Sequence, residues 1–220
     1  MTLQPQRKRS VRASCACCYL AISWLSLAFS KRLQCFLGVM DSTITPREAT
    51  EGDFAAIVQL FRENEILCTL GQDQGNDDWL RIGRSYVERT CRGELSSWEA
   101  CSERLAGAGS KLWVVEEGGE VAGCIGAVRL SPERLELVRM YVDGRCRRRG
   151  FGRALVQVLL DHALEVGASE VELTTPQVNE AAICFYQEMG FSFRAVIPVV
   201  EAGLPFNLVQ LTRVIELSGL

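Results

Sequence analysis

Histidine is almost absent from this chain: His162 is the only one in 220 residues. Ten cysteines are present, and beyond the cluster at Cys15, Cys17 and Cys18 they stand far apart, at 35, 68, 91, 101, 124, 146 and 184. The usual spacing of a zinc site is missing, so no metal is expected. A chain with about half its residues apolar can build a core without a disulfide framework, and the cysteines read as reduced and mostly structural. Internal repeats and low-complexity stretches are also lacking, which sets aside solenoids and linkers and fits one domain with an appendage.

Acidic residues are missing from residues 1–40, which carry Arg7, Lys8, Arg9, Arg12, Lys31 and Arg32. The chain's net −3 then leaves −9 for the other 180 residues, so the body is acidic and no nucleic-acid partner is expected. Within the basic segment, residues 13–30 (ASCACCYLAISWLSLAFS) carry no charge, a length at the short edge of a membrane span. Three readings stand: a membrane anchor with palmitoylation at Cys15, Cys17 and Cys18, a targeting peptide, or a segment absent from the mature protein, Met40 then preceding the domain. The domain at 41–220 is expected in the cytoplasm, or at a membrane or in an organelle if residues 1–39 are retained.

The body alternates strand and helix signals. STITPREA reads as a first strand. Thr50 and Asp53 have capping-box spacing ahead of Phe54, Ile57, Val58 and Phe61, an apolar helix face. GQDQGNDD at 71–78 reads as a polar loop, Trp79–Arg92 as a helix and Ser97–Ala106 as a short one, before GAGS breaks the chain. KLWVVEE, a Gly-Gly turn and EVAGCIGAVRL form a hairpin, and LELVRMYV is the next strand. A helix follows over Phe151–Val166, then the strand VELTT, a helix over Asn179–Met189, and the strands FSFRAV and LVQLTRVI. The order β-α-α-β-β-β-α-β-α-β-β, with the short helix added, is a mixed α/β domain.

Between LELVRMYV and the helix lies RCRRRGFG, residues 145–152, with four arginines in five positions and then two glycines. A strand, a glycine-bearing loop and a helix start make an anion site, because the first helical turn has unpaired N–H groups and a favourable dipole. Gly150 and Gly152 open a cradle and the arginines surround it with charge. The loop lacks GK[ST] and the GxGxxG spacing, so it is neither a P-loop nor a dinucleotide fingerprint.

VDGRCRRRGFGRAL resembles the acyl-CoA loop of the GCN5-related N-acetyltransferases, with Arg147, Gly150 and Gly152 on its pattern. Asn179, Tyr186 and the Gly190-Phe191 pair resemble that superfamily's second landmark. The likeness covers residues 43 to about 215, and YVERTCRGEL with GSKLWVVEEGGEVAGCIGAV is most similar to the camello-type members. Two departures stand out. The hydrophobic segment those members carry after the first helix is replaced here by polar residues 64–85, and Arg148 fills a position often held by glycine.

The resemblance implies the acyl-CoA N-acyltransferase fold, a twisted mixed sheet flanked by helices, and direct acetyl transfer from acetyl-CoA to an amine. The amides of Arg147, Arg148, Arg149, Gly150, Phe151, Gly152 and Arg153 are implied as the pyrophosphate cradle, with Arg145, Arg148 and Arg149 available to the 3′-phosphate. The strand edge at Met140, Tyr141 and Val142, and Asn179, are implied for the pantetheine arm; Asn179 also reads as a plain N-cap. Tyr186 is the general-acid candidate, against an alternative as a core aromatic. Glu136 is the general-base candidate, six residues before Val142 and on its face by period two, against an alternative as a solvated edge residue; Glu172 is a second choice, and water a third. Cys146 and Cys184 are read as structural. The acidic body favours a cationic acceptor, a lysine, an N-terminus or a polyamine, and the camello-type likeness also permits a cysteine conjugate. Two non-enzymatic readings remain: an acyl-CoA-binding or interaction module on the same fold, and an anchored scaffold.

Overall fold

A computed structural model describes residues 44–70, 77–105 and 107–216, without the side chains of 66–70. The basic segment, with the membrane, targeting and palmitoylation readings of residues 13–30, lies outside these residues. Among the described residues no helix is long and apolar enough to cross a membrane.

The chain forms β1 (Arg47–Glu48), α1 (Phe54–Leu70), α2 (Asp77–Arg92), α3 (Trp98–Arg104), β2 (Lys111–Glu117), β3 (Glu120–Ser131), β4 (Arg134–Val142), α4 (Phe151–Glu165), β5 (Glu170–Pro176), α5 (Glu180–Glu188), β6 (Ser192–Glu201) and β7 (Leu204–Val214). The strands make one mixed sheet in the order β1-β2-β3-β4-β5-β7-β6. All neighbours run antiparallel except β4 and β5. Side chains of successive strand residues point to opposite faces, so each face gathers its own core. Leu112, Val114 and Cys124 pack with Ile57, Leu60 and Phe61 of α1. Trp113, Val115 and Ile125 pack with Leu155 and Leu159 of α4. His162 belongs to this second core: its ring meets Trp113 edge-on at 5.1 Å and its Nε2 lies 2.8 Å from the Gly109 carbonyl oxygen.

Several sequence expectations change. The first strand shrinks from STITPREA to two residues, because the chain turns at once into the cap of α1. Asp77 and Asp78 belong to the first turn of α2, where their charge suits the helix dipole, rather than to the polar loop, whose residues 71–76 lie outside the described set. IPVVEAGLPFN, between the expected strands FSFRAV and LVQLTRVI, is the closed end of the β6–β7 hairpin. Ala202 (φ 53°) and Gly203 (φ 77°) form its two-residue turn, and Pro198 pairs with Asn207 inside the ladder. Tight hairpins favour this mirror-image geometry, but Ala-Gly lacks the Asn or Asp that advertises it.

The consequential difference lies in β4. Cys124 pairs with Tyr141 and Gly126 with Val138, so Arg139 and Met140 face the single residue Ile125. This is a β-bulge, and Arg139 takes φ 55° to make it. The extra residue reverses the phase of the strand. Leu135 and Leu137 face the α4 side before it, and Met140 and Val142 after it. Glu136 and Val142 therefore point to opposite faces, and the period-two argument placing them together fails. The β4–β5 ladder ends at Glu136 opposite Glu172, just short of the bulge, and the rest of β4 has no strand partner on that side.

The entry to α1 is fixed by one carboxylate. Asp53 accepts from Arg47 Nη1 and Nη2 at 2.8 and 2.7 Å, and from the Thr50 amide and hydroxyl at 2.8 and 2.9 Å. The bond to Arg47 holds its carboxyl well below the usual carboxylate range. A depressed folded value means that the stabilisation is complete above the unfolded value, about 4, and is lost as pH falls through the folded one. Arg47 is 44% exposed, so water screens part of the pair. Asp53→Asn should cost about 1–2 kcal/mol at pH 7 in chemical denaturation, and the gap from wild type should narrow progressively as pH falls below about 4; a gap independent of pH would contradict this.

Candidate active site

Past Glu136 and Glu172 the two parallel strands part, and a cleft of about 550 Å³ opens between them. That is ample for a small-molecule site. It is lined from β4 by Glu136 to Tyr141, from β5 by Leu173 to Pro176, and from α5 by Asn179, Ala182 and Tyr186. Helices α1 and α2 contribute Glu65 and Tyr86, and the segment after α2 contributes Glu94. Trp79 and Phe206, edge to face at 5.7 Å, also line the cleft.

Of the residues singled out in the sequence, the structure brings Glu136, Met140, Tyr141, Asn179 and Tyr186 to this cleft. Val142, Arg147 to Arg153 and Glu172 are not part of its lining. Met140 connects cleft and loop: a Cβ built on Gly152 would stand 3.3 Å from Met140 Cε and 3.3 Å from Phe185 Cζ, a tight fit that keeps position 152 small. The Tyr141 ring packs edge-on to Phe61 at 5.7 Å, and its hydroxyl donates to Glu65 Oε1 at 3.3 Å. Burial raises Tyr141 well above the ordinary phenol value.

Tyr186 is buried beside Phe185 and Phe191 as a core aromatic, and it also lines the cleft. The Asn179 side chain accepts from the Ala182 amide at 3.3 Å as the N-cap of α5, and it also lines the cleft. Glu136 is 25% exposed and 3.3 Å from Arg104. Its carboxyl is raised by burial first, with Arg104 pulling it down. Glu172 accepts from Arg134 at 3.3 Å and Gln210 at 3.4 Å, outside the cleft lining. Cys146 is buried, and burial raises its thiol, so it is a poor nucleophile. Cys184 is exposed.

The loop after β4 begins with a short turn at Gly144–Cys146 and ends at Gly150, the N-cap of α4, with φ 97°. Arg148 also takes a left-handed φ, 61°. This backbone suits the glycine more usual there, and an arginine pays about 1–2 kcal/mol for it. Its side chain is exposed, and among the described residues it forms no ion pair. The other arginines are engaged: Arg145 with Asp143 at 2.8 Å, Arg147 with Asn64 at 2.7 Å, Arg149 with Glu117 at 2.6 Å, and Arg153 with Glu188 at 3.0 Å. The first turn of α4 holds no acid, so no side-chain charge there opposes an anion at the helix start. An exposed glycine at a helix start, a tight Gly152 and a parted strand pair fit a ligand with an anionic head and a narrow arm, as acetyl-CoA has.

Residues 76–191 match the acetyltransferase (GNAT) family. The chain belongs to it. Among curated proteins it is 36% identical over 111 residues to human N-acetyltransferase 8, 34% identical over 111 residues to human N-acetyltransferase 8B, and 31% identical over 113 residues to rat N-acetyltransferase family 8 member 2. These are camello-type proteins, as the sequence resemblance implies. The alignments cover 48%, 48% and 49% of this chain, and the same shares of the relatives, so the chain spans about half the length of the curated relatives it matches. Among solved structures, yncA of Salmonella typhimurium, with its cofactor acetyl-CoA, superposes at TM-score 0.57 with 22% identity, covering 80% of this chain and 95% of that one. A GNAT phosphinothricin acetyltransferase from Sinorhizobium meliloti, in complex with acetyl-CoA, does so at 0.55 with 17% identity, covering 79% and 89%. The fold is the GNAT fold.

Sequence reasoning missed Glu65, Glu94, Arg104 and Arg139. The first three sit in helical or loop segments whose approach to β4 depends on tertiary packing. Arg139 did carry a signal, because the apolar positions of LELVRMYV switch phase after Leu137.

Calorimetric titration of acetyl-CoA into the full chain tests the cradle. Gly150→Glu should abolish binding, by filling the cradle with a carboxylate on a left-handed backbone. Arg148→Gly should bind within about threefold of wild type at an unchanged or slightly higher melting temperature, the relieved strain being partly offset by glycine's chain entropy. Undiminished binding by Gly150→Glu would place the anion site elsewhere.

Proposed function

We propose that residues 41–220 form an acetyl-CoA-dependent N-acetyltransferase domain, with residues 1–40 as an appended basic segment. The observation that carries this reading is the parted β4–β5 pair, with Glu136 and Tyr186 on its cleft and the Gly150 helix start beside it. Bound acetyl-CoA supplies an activated acetyl thioester. The amides of Arg147 to Gly152 would hold its pyrophosphate, and the free β4 edge at Met140 to Val142, with Asn179, would hold its pantetheine arm. An unpaired strand edge offers N–H and C=O groups spaced for an extended amide chain.

The acceptor amine must lose a proton, and the departing sulfur must gain one. Glu136 takes the first role. Its raised carboxyl lies closer to working pH than an ordinary glutamate and so makes a better base. Tyr186 takes the second, as a buried phenol on α5 that can donate to a thiolate. The acceptor's reactive group is read as a cationic amine. The acidic residues Glu65, Glu94 and Glu136 in the cleft favour it, although Arg104 and Arg139 offset part of that field. A lysine side chain, an N-terminus, a polyamine and a cysteine conjugate are the candidate carriers.

CoA release from the full chain should be followed with a lysine peptide, a peptide with a free N-terminus, spermidine and a cysteine S-conjugate as acceptors. Tyr186→Phe should lower turnover roughly 10²-fold with acetyl-CoA affinity retained. Glu136→Gln should lower it at neutral pH and less at high pH, where the amine arrives uncharged. Tight acetyl-CoA binding with no turnover on any amine would favour the binding-module reading instead.

A further inference from the structure

A chain of alternating charges runs along the wall of the cleft to Glu136. Arg139, on the bulge, is 12% exposed and pairs with Glu94. The same Glu94 oxygen lies 3.5 Å from Arg104 Nε, and Arg104 Nη2 lies 3.3 Å from Glu136 Oε2. The four residues come from β4, the segment between α2 and α3, and the last turn of α3, and all four line the cleft. The anchor is rigid: the Arg139 guanidinium stacks over the Phe61 ring, its carbon 5.5 Å from the ring centroid, and its backbone is fixed in the bulge.

Glu136 needs such a device. Burial, Glu172 across the strand pair and Glu94 all favour its neutral form; Arg104 and Arg139 favour the ionised form. Arg104 is the one cation within ion-pair distance of it among the described residues. A guanidinium on a three-carbon stem would sample many positions from α3. Glu94, itself tied to Arg139, restricts it to the one that reaches Glu136.

We propose that Arg104, fixed through Glu94 to Arg139, is a positioning residue that keeps the Glu136 carboxylate ionised and aimed into the cleft. This rests on the reading of Glu136 as the base. In that step an acceptor N–H bond breaks, its proton forms a new O–H bond on Glu136, and the electron pair stays on nitrogen. Arg104 takes no proton and touches no substrate. Its guanidinium keeps Glu94 but loses its second charged partner when Glu136 is protonated, which favours return of the proton to solvent after each turnover.

Carbon-13 NMR titration of the full chain labelled at glutamate carboxyls tests this, with Glu136 assigned by the signal lost in Glu136→Gln. Arg104→Met should raise the Glu136 midpoint by roughly 0.5–1 unit, a charge effect reduced by solvent at a half-exposed pair. Arg104→Lys should restore at least half of that shift. Melting temperatures of both variants expose a merely structural role, which would lower stability and leave the Glu136 titration alone. Equal midpoints in wild type, Arg104→Met and Arg104→Lys would overturn the proposal. The reading of Glu136 as base fails separately: there the midpoint moves as described, but Glu136→Gln leaves the pH–rate profile unchanged.

Discussion

One extra residue in β4 governs the functional half of the molecule. A regular strand would carry its ladder to β5 along its whole length and close the sheet. The bulge at Arg139 and Met140 bends and twists the strand, and the parallel pairing ends just before it, at Glu136 and Glu172. The cleft, its free backbone edge and the placement of Tyr141 towards α1 follow from that bend. So does the position of Arg139, which a regular strand would have turned towards α4. Its left-handed φ is a local strain, and Glu94 and the Phe61 ring hold it in place.

The arginine-rich loop divides its labour in a way its composition hides. Arg145, Arg147, Arg149 and Arg153 tie the loop and the start of α4 to Asp143, Asn64, Glu117 and Glu188. All four are already engaged, and the charge of those paired with carboxylates is partly neutralised where it stands. Arg148 is the exception, exposed on a backbone that suits glycine. The charge run is thus largely structural, and the anion site we propose is backbone: the Gly150 turn and the amides at the head of α4.

Much of this was legible in the sequence, for reasons that can be stated. Period-two and period-3.6 patterns set the order of strands and helices, because each element buries a face and burial leaves a pattern. The Thr50–Asp53 cap and the Gly118-Gly119 turn carried their own local chemistry. The acyl-CoA loop and the Asn179–Phe191 landmark were legible through resemblance to a family. What was not legible depends on contacts distant in sequence. The reach of Arg104 to Glu136 spans 32 positions and that of Arg139 to Glu94 spans 45. The β6–β7 turn was missed because Ala202 takes its positive φ without an asparagine or aspartate to signal it. The bulge left a trace, the phase switch from Leu135 and Leu137 to Met140 and Val142, which a strict period of two passes over.

Amide hydrogen exchange of the full chain, with and without acetyl-CoA, reads the opening of β4 from β5 residue by residue. If the parted strands and the helix start together form the cofactor site, acetyl-CoA should slow exchange in two separate stretches, the β4 edge at Met140 to Val142 and the loop at Arg147 to Gly152, while β2 is unaffected. Binding that protects neither stretch, or protects the loop and leaves the β4 edge unchanged, would contradict a site built on the opening of β4 from β5.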